Sequence, residues 1–321
     1  MYVGIDVAKA SLQVCVLTSP VQQQAFANTK AGWKALDSYL SQWDEVWVAM
    51  EATGTYGDGV THYLFEANYR VSVVNPARIK AYGKSQMKRH KTDTIDAHLI
   101  ADFCRTQQPL LWQPMSAEAE ELRELVRHLD DLKQSRQREK NRLEANPKSK
   151  VVVKQIEQLI GYLDKQIDQV KENIRRHIEQ HPHLKSQSDL LTSIPGIGFQ
   201  TSAQVLAQLG DLSRFDDVRQ VVAMVGLDPT LRQSGSSLNY TVGIARLGHA
   251  SLRAALYMPA IVAARCNPIL KVFAQRMVSN GLKPLQVIVA VMRKLLHLAY
   301  GVIKNQLPFD PHYGKVKLLT P

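Results

Sequence analysis

The stretch Tyr2-Val3-Gly4-Ile5-Asp6 is a short apolar run that ends in an acid, and Val46–Met50 repeats the pattern directly before Glu51. Both runs have the length and composition of a buried β-strand. Acids at the ends of two strands can lie side by side at one edge of a sheet. The two stretches therefore predict a sheet that carries Asp6 and Glu51 at one edge.

Patterns typical of strands and helices alternate around these two runs, up to about residue 110. The predicted strands are Leu12–Leu17, Val21–Asn28 and Arg70–Val74, the last stopping at Asn75-Pro76, and the predicted helices are Lys30–Gln42 and Thr61–Asn68. Alternation of this kind indicates an α/β domain built on a central sheet.

Two further acids, Asp93 and Asp96, precede the helical run His98–Phe103. A spacing of three puts both carboxylates on one face of a helix. Together with Asp6 and Glu51 they offer the oxygen ligands that one or two hard cations such as Mg²⁺ prefer. A single acid at a strand end or helix start is usually a cap or a surface residue, so a metal site and ordinary capping both stay open at this point.

The middle of the chain, Ser116–Ile178, is predicted to be helical and interrupted at Asn146-Pro147. Its two apolar stripes consist of Leu122, Leu125, Leu129 and Leu132, then Ile156, Ile160, Leu163, Ile167, Val170 and Ile174. The second stripe follows alternating steps of four and three, which is a heptad seam. We expect an antiparallel coiled-coil hairpin that packs on itself or on a second protomer.

From Ser186 onward, Leu190–Ser193, a turn at 194–198 and Thr201–Leu209 form a helix-hairpin-helix pattern. The glycines of such a turn let backbone N–H groups approach a phosphate, although a purely structural turn between packed helices fits equally well. A polar loop is predicted at Arg232–Val242, followed by helices at Leu252–Arg265 and Leu285–Lys304. The predicted domains are residues 1–112, 113–184 and 185–321.

The net charge of +11 and the isoelectric point near 9.5 favour a polyanionic partner, usually nucleic acid. Residues 186–321 hold fourteen Lys or Arg against six Asp and no Glu, and Arg70–Lys91 holds seven Lys or Arg with no acid. The candidate nucleic-acid contacts are Lys84, Lys88, Arg89, Lys91, Gly196, Gly198, Arg232, Arg246, His249 and Arg253.

The three cysteines, Cys15, Cys104 and Cys266, are far apart and form no C-x-x-C pair. This spacing argues against a disulfide framework and fits a reducing compartment. The N-terminus lacks the layout of a signal peptide, and charges interrupt every apolar run before it reaches the length of a membrane span. We therefore expect a cytoplasmic protein, associated with the bacterial nucleoid when active, and no membrane partner.

Several motifs, in order along nearly the whole chain, resemble the DEDD (RuvC-like) transposases of the insertion-sequence-110 family, the bridge-RNA-guided recombinases. The motifs are Gly4–Lys9, Glu51–Tyr56, Asn75-Pro76, Lys91–Ala97, Ser193–Gly198, Gly226–Pro229, Ser234–Ser237 and Ala255–Pro259. The resemblance implies an RNase H-like fold for the first segment and a helical C-terminal transposase domain. It also implies that Asp6, Glu51, Asp93 and Asp96 are catalytic ligands of Mg²⁺ or Mn²⁺.

The loop Arg232–Ser237 contains Ser234-Gly235-Ser236-Ser237, which has the composition of a flexible linker. The residues alone do not rank Ser234, Ser236 and Ser237 as nucleophiles, but the resemblance implies that the first, Ser234, joins covalently to a DNA end. It further implies a noncoding guide (bridge) RNA, donor and target DNA, and a homo-oligomer, dimer or tetramer, with a composite active site.

Two other functions fit the same residues. A structure-selective endonuclease, such as a Holliday-junction resolvase, would use the four carboxylates with water as the nucleophile. A non-catalytic nucleic-acid-binding protein would use only the basic residues and the glycine turn. Ser234 distinguishes the recombinase from the resolvase, and the carboxylates distinguish both enzymes from the binding protein.

Overall fold

The computed structural model describes residues 1–52, 54–86, 93–234, 238–244 and 248–312, without the side chains of residues 93–95, 214 and 230–242. The chain divides into two compact units, Met1–Pro114 and Met115–Pro321. The division into three domains stays a prediction.

A five-stranded mixed sheet forms the centre of the first unit. Its strands are β1 (Tyr2–Val7), β2 (Ser11–Val16), β3 (Gln22–Ala27), β4 (Trp47–Glu51) and β5 (Arg70–Val74), in the order β3-β2-β1-β4-β5. The first three strands are antiparallel to one another, whereas β4 runs parallel to both β1 and β5. The predicted α/β domain with a central sheet is confirmed.

The helices of this unit are α1 (Lys30–Leu40), α2 (Asp58–Glu66), α3 (Pro76–Ser85) and α4 (Asp93–Gln107). The sequence pattern does not predict α3, because Asn75-Pro76 indicates only the end of a strand. Asn75 is instead the N-cap, whose side chain accepts a hydrogen bond from the Ala77 N–H at 2.8 Å, and Pro76 occupies the first helical position. Proline is well tolerated there, since that N–H has no partner within the helix.

Helix α4 lies unusually close to the central strand β1. A Cβ atom added to Gly4 would be 2.2 Å from the carbonyl oxygen of Ala97 and 2.3 Å from the amide nitrogen of Ala101. Both of these are backbone atoms of α4, so no side-chain rotation could relieve the contact. Glycine at position 4 is therefore required for the helix to lie directly on the strand.

The second unit begins with a hairpin of two long helices, α5 (Ala117–Glu144) and α6 (Lys150–Gln180). Arg136 and Asp164 form an ion pair of 2.8 Å, and His177 Nε2 lies 2.8 Å from the carbonyl oxygen of Glu118. Residues early in α5 thus meet residues late in α6, which makes the two helices antiparallel, as predicted. Most residues of the apolar seam are buried: Ile156, Leu163, Ile167, Val170 and Ile174.

The remaining helices of this unit share one hydrophobic core with the hairpin. They are α7 (Pro182–Thr192), α8 (Phe199–Leu209), α9 (Val218–Val225), α10 (Ala250–Cys266), α11 (Pro268–Ser279) and α12 (Pro284–Asn305). The two helices predicted near the C-terminus correspond to α10 and α12 and are confirmed.

The polar loop predicted at Arg232–Val242 is wrong. Strands β6 (Pro229–Ser234) and β7 (Leu238–Ile244) pair there as an antiparallel hairpin. The Gly-Ser-Ser segment at 235–237, which lies outside the described residues, connects the two strands, while Tyr240, Thr241 and Val242 have the aromatic or β-branched side chains that favour a strand. The small residues of the turn suggested a loop, although the residues that follow the turn favour a strand.

Helix α12 also corrects the expectation that no stretch reaches the length of a membrane span. Within the described part of the chain it is the one helix long and apolar enough to cross a membrane, judged by length and composition. Many of its apolar side chains pack into the core of the second unit instead, among them Val287, Val291, Leu295, Leu296 and Ile303. A core helix meets the same criteria as a membrane span.

We expect Gly4→Ala to destabilise the first unit, because its methyl group would collide with the backbone of α4. Overpacking of this kind costs about 1–3 kcal/mol. All four tryptophans lie in the first unit, so urea unfolding followed by tryptophan fluorescence measures this loss.

Gly161→Ala is the matched control, since Gly161 lies within α6 and an added Cβ there would meet nothing within 4 Å. Alanine should stabilise that helix by roughly 0.5–1 kcal/mol, seen in the far-ultraviolet circular dichroism transition with unchanged tryptophan fluorescence. Equal effects of the two variants would contradict a close contact at Gly4.

Candidate functional site

Asp6 and Glu51 lie at the same end of two adjacent parallel strands. The register of β1 and β4 pairs Ile5 with Met50, and each acid follows its paired residue directly. Neighbouring strands are separated by about 4.8 Å. The sheet therefore places the two carboxylate-bearing positions next to each other, which is the arrangement that the sequence predicts.

Both acids belong to the face of the sheet that α4 covers. Side chains two residues apart on a strand point to the same face, so Asp6 shares the face of Gly4, where α4 makes its close approach. On β4, Ala49 precedes Glu51 by two residues and is buried in a cluster with Leu99 and Ile100 of α4. The carboxylates of both strands are thus directed to the side where α4 lies.

Asp96 immediately precedes Ala97, the residue that contacts Gly4, and its side chain is partly buried. The backbone of Asp93 forms the first residue of α4, but its side chain lies outside the described residues. Among the side chains that are described, no three acids, histidines or cysteines form a group that could hold a metal ion. The four-carboxylate set therefore stays a prediction.

Ser234 is the last residue of β6 and pairs with Leu238 of β7. The structure thus places it at the end of a β-hairpin strand. Its side chain, like that of Arg232, is not described, and Ser236 and Ser237 lie outside the described residues. The role of Ser234 therefore stays a prediction.

The two glycines of the turn between α7 and α8 have different surroundings. Gly196 has φ of 109°, and a Cβ there would lie 2.5 Å from the Cβ of Ala263 in α10, so this glycine is needed for packing. Gly198 is exposed and precedes the first turn of α8, where a Cβ would meet nothing within 4 Å. Only Gly198 leaves room for a ligand.

Two cations of the basic block Arg70–Lys91 pack against aromatic rings of the first unit. The guanidinium of Arg70 lies 4.0 Å from the ring centre of Trp47, and that of Arg78 lies 5.4 Å from the ring centre of Phe103. Lys84 is exposed on α3. The other candidate contacts of this block, Lys88, Arg89 and Lys91, lie outside the described residues, as does Arg246.

His249 and Arg253 lie at the start of α10, and the charge of Arg123, which no sequence pattern indicates as a site residue, acts on His249. Arg253 donates a hydrogen bond of 2.8 Å to the carbonyl oxygen of Val225, which ends α9. Burial lowers the pKa of His249 from its ordinary value, and the positive charges of Arg123 and Arg253 lower it further. Arg123 comes from α5, whose apolar stripe gives no indication of this electrostatic interaction.

Comparison with known proteins gives a consistent result over the chain. A family model for DEDD transposases of the IS110 type, described as a transposase, matches residues 3–146. A second model, described as the transposase IS116/IS110/IS902 family, matches residues 188–275.

Individual relatives extend this similarity over nearly the full length. The pilin gene-inverting protein of Moraxella bovis is 34% identical over 315 residues, which are 96% of this chain and 97% of the relative. The corresponding protein of Moraxella lacunata shows the same identity and coverage. The transposase for the insertion sequence element IS1111A of Coxiella burnetii is 23% identical over 295 residues, covering 79% of this chain and 75% of the relative.

Proposed function

Because this chain belongs to the IS110/IS116/IS902 family of transposases, whose members rearrange DNA enzymatically, we propose that it is a metal-dependent recombinase that uses a serine nucleophile. The observation that carries the proposal is the adjacent placement of Asp6 and Glu51 on parallel strands, on the sheet face that α4 covers. The strand order β3-β2-β1-β4-β5 supports an RNase H-like (RuvC-like) fold for the first unit.

The ligands of the metal would be the carboxylates of Asp6, Glu51, Asp93 and Asp96. Their chemistry fits, since Mg²⁺ and Mn²⁺ favour carboxylate oxygens and the sheet brings two such positions together. Bound there, the cation would neutralise negative charge on a phosphodiester and on the departing oxygen. Asp6 and Glu51 would hold it from the sheet, and Asp96 from the helix.

Ser234 would supply the attacking oxygen. Its Oγ forms a bond to phosphorus while the bond from phosphorus to the 3′-oxygen breaks, and the proton of the serine hydroxyl ends on that 3′-oxygen. The resulting phosphoserine conserves the energy of the phosphodiester. A 3′-hydroxyl from the second DNA then attacks the phosphorus, the bond from phosphorus to the serine Oγ breaks, and the proton of that hydroxyl passes to the Oγ. Strand exchange therefore needs no ATP.

We propose a homo-oligomer, a dimer or tetramer, in which the carboxylates of one protomer act with Ser234 of another. The α5–α6 hairpin supports this proposal by its exposed apolar side chains, among them Leu159 and Tyr162, which are 42% and 58% exposed. Donor and target DNA would be the substrates, and the full-length similarity to pilin gene-inverting proteins supports a rearrangement of duplex DNA.

Removal of divalent cations tests the metal requirement. Chelation by EDTA should abolish strand cleavage of a plasmid that carries donor and target sites, and Mg²⁺ or Mn²⁺ in excess should restore it, because the phosphate charge is otherwise uncompensated. DNA binding measured in the same EDTA buffer should persist. Cleavage that continues after complete chelation would exclude the carboxylate site as the catalytic centre.

A guide RNA is the second part of the proposal, supported by the family resemblance and by the net charge of +11. In such a system base pairing carries the sequence information and the protein holds the backbone. We expect one defined noncoding RNA with two internal loops to copurify with the protein from its host, identified by sequencing. Purification of active recombinase free of RNA would leave a simpler enzyme that recognises DNA directly.

A further inference from the structure

A continuous groove crosses the second unit, between the α5–α6 hairpin, the start of α8 and the start of α10. Two adjoining cavities, of about 360 and 450 Å³, form it and share the residues Lys133, Gln200, Thr201 and Gln204. One end lies beside Arg175 of α6 and the other beside Ser251 of α10.

The first turn of α8 opens into the middle of this groove. Gly198 provides no side-chain cap, and Phe199, Gln200 and Thr201 begin the helix. The first N–H groups of a helix have no partner within it and carry the positive end of its dipole. Backbone N–H groups of this kind bind phosphate oxygens.

Three cations from the hairpin line the same groove: Lys133, Lys171 and Arg175. The acids that accompany the last two are neighbours on α6, Asp168 at 2.9 Å from Lys171 and Glu172 at 3.9 Å from Arg175. Such exposed pairs contribute little free energy, so phosphate can replace them. Arg175 also lies 4.9 Å from the ring centre of Phe199, which directs it toward the start of α8.

Lys133 lies where the two cavities of the groove adjoin. Its side chain is 34% exposed, and its ammonium lies 4.0 Å from the carboxylate of Asp130. That aspartate already accepts hydrogen bonds from Gln204 Nε2 at 3.0 Å on both of its oxygens. Burial lowers the pKa of the Lys133 ammonium, Asp130 opposes this, and the positive charges of Lys171 and Arg136 lower it further. An anion bound beside Lys133 would be attracted by its ammonium and by the positive charges of Lys171 and Arg136.

Gln204 forms the floor of the groove and is only 8% exposed. Its amide nitrogen is held by Asp130, which fixes the orientation of the carboxamide. Its Oε1 is buried and has no hydrogen-bond partner among the described residues. Buried acceptors are normally paired, so a small rotation of this side chain toward the groove would give Oε1 a partner in a ligand that carries a hydroxyl or amino donor beside its phosphate.

We infer that this groove binds the sugar–phosphate backbone of a nucleic-acid strand, with a phosphate at the first turn of α8 and Lys133 and a sugar hydroxyl or base amino group directed at Gln204. The inference rests on nucleic acid being the substrate of the proposed function, and it needs neither the carboxylates nor Ser234. Ribose carries a hydroxyl donor at every nucleotide that deoxyribose lacks, so RNA and DNA are separate arms of the test.

Fluorescence anisotropy in EDTA, with a fluorescent 20-nucleotide single strand of RNA or of DNA, measures binding without any cleavage. Lys133→Gln should weaken binding about tenfold and reduce the slope of log affinity against log salt by about one. Thr201→Glu should weaken it at least as strongly, because it puts a carboxylate where phosphate binds, while an acid in the first turn stabilises the helix itself. Thermal unfolding of Thr201→Glu should thus be unchanged or shifted upward.

Lys154→Gln is the matched control for charge, since Lys154 is exposed on α6 about 25 Å along the helix from Lys171. It should bind both strands like the wild type. If Lys133→Gln and Thr201→Glu lose affinity for RNA, the occupant of the groove is a guide strand. If they lose affinity for DNA alone, the occupant is a substrate strand. Wild-type affinity of Lys133→Gln and Thr201→Glu for both strands would overturn the inference. If these two variants weaken binding but the wild-type protein shows no recombination, the proposed function is contradicted and the inference stands.

Discussion

Asp6→Asn should lower Mg²⁺-dependent strand cleavage by about three orders of magnitude while the protein stays folded. The substitution keeps the size of the side chain and removes one negative charge next to Glu51. A cation held there loses a charged ligand, and stabilisation of a transition state by a bound metal is worth several kcal/mol, at about 1.4 kcal/mol for each tenfold change in rate.

Thermal unfolding separates this effect from damage to the fold. Without metal, neighbouring carboxylates repel each other, so Asp6→Asn should unfold at the same or a higher temperature than the wild type. Mg²⁺ should raise the unfolding temperature of the wild type, because a ligand that binds only the folded state stabilises it, and this rise should be lost in Asp6→Asn.

Asp44→Asn is the matched control, since Asp44 is exposed and precedes β4 at the end opposite Glu51. It makes the same chemical change in the same unit and should retain full cleavage. Undiminished cleavage by Asp6→Asn would instead favour the non-catalytic binding protein, in which the acids at the strand ends have no chemical role.

Ser234→Ala should eliminate the covalent protein–DNA species and strand exchange altogether. The residue would supply the atom that attacks phosphorus, and alanine has no group to replace it. Denaturing gel electrophoresis of protein incubated with labelled DNA measures the covalent species, and a two-site plasmid measures exchange. Since Ser234 ends the strand β6, the substitution should not alter folding.

Ser236→Ala and Ser237→Ala are controls within the same short segment, and both should form the covalent species. Transfer of the covalent link to either of them would reassign the nucleophile. Cleavage by Ser234→Ala at the wild-type rate, without any covalent species, would indicate water as the nucleophile and a structure-selective endonuclease instead of a recombinase.

The sequence by itself determined the local elements and the positions of most candidate residues. Apolar runs of strand length ending in Asp6 and Glu51, and the seam of residues Ile156–Ile174, follow from periodicity, which depends only on neighbours along the chain. The family resemblance assigned roles to Asp93, Asp96 and Ser234, roles that spacing alone could not supply.

Prediction from local sequence was incomplete or wrong where one short motif is compatible with two structures. Asn75-Pro76 ends β5 and also starts α3, because proline is suited both to stopping a strand and to the first turn of a helix. Ser234 begins a segment of linker composition and is nevertheless the last residue of β6. The N-cap at Asn75 decided the first case, and the pairing of β6 with β7 decided the second.

Only the tertiary structure decided which distant residues meet. The parallel pairing of β1 with β4 makes Asp6 and Glu51 neighbours across 45 positions of sequence, and Gly4 admits the backbone of α4 to the same face. The groove at Gln204 likewise needs α5, α6, α8 and α10 together. No periodicity encodes such contacts, since they depend on how closely two backbones can approach and on which buried polar atoms remain to be satisfied.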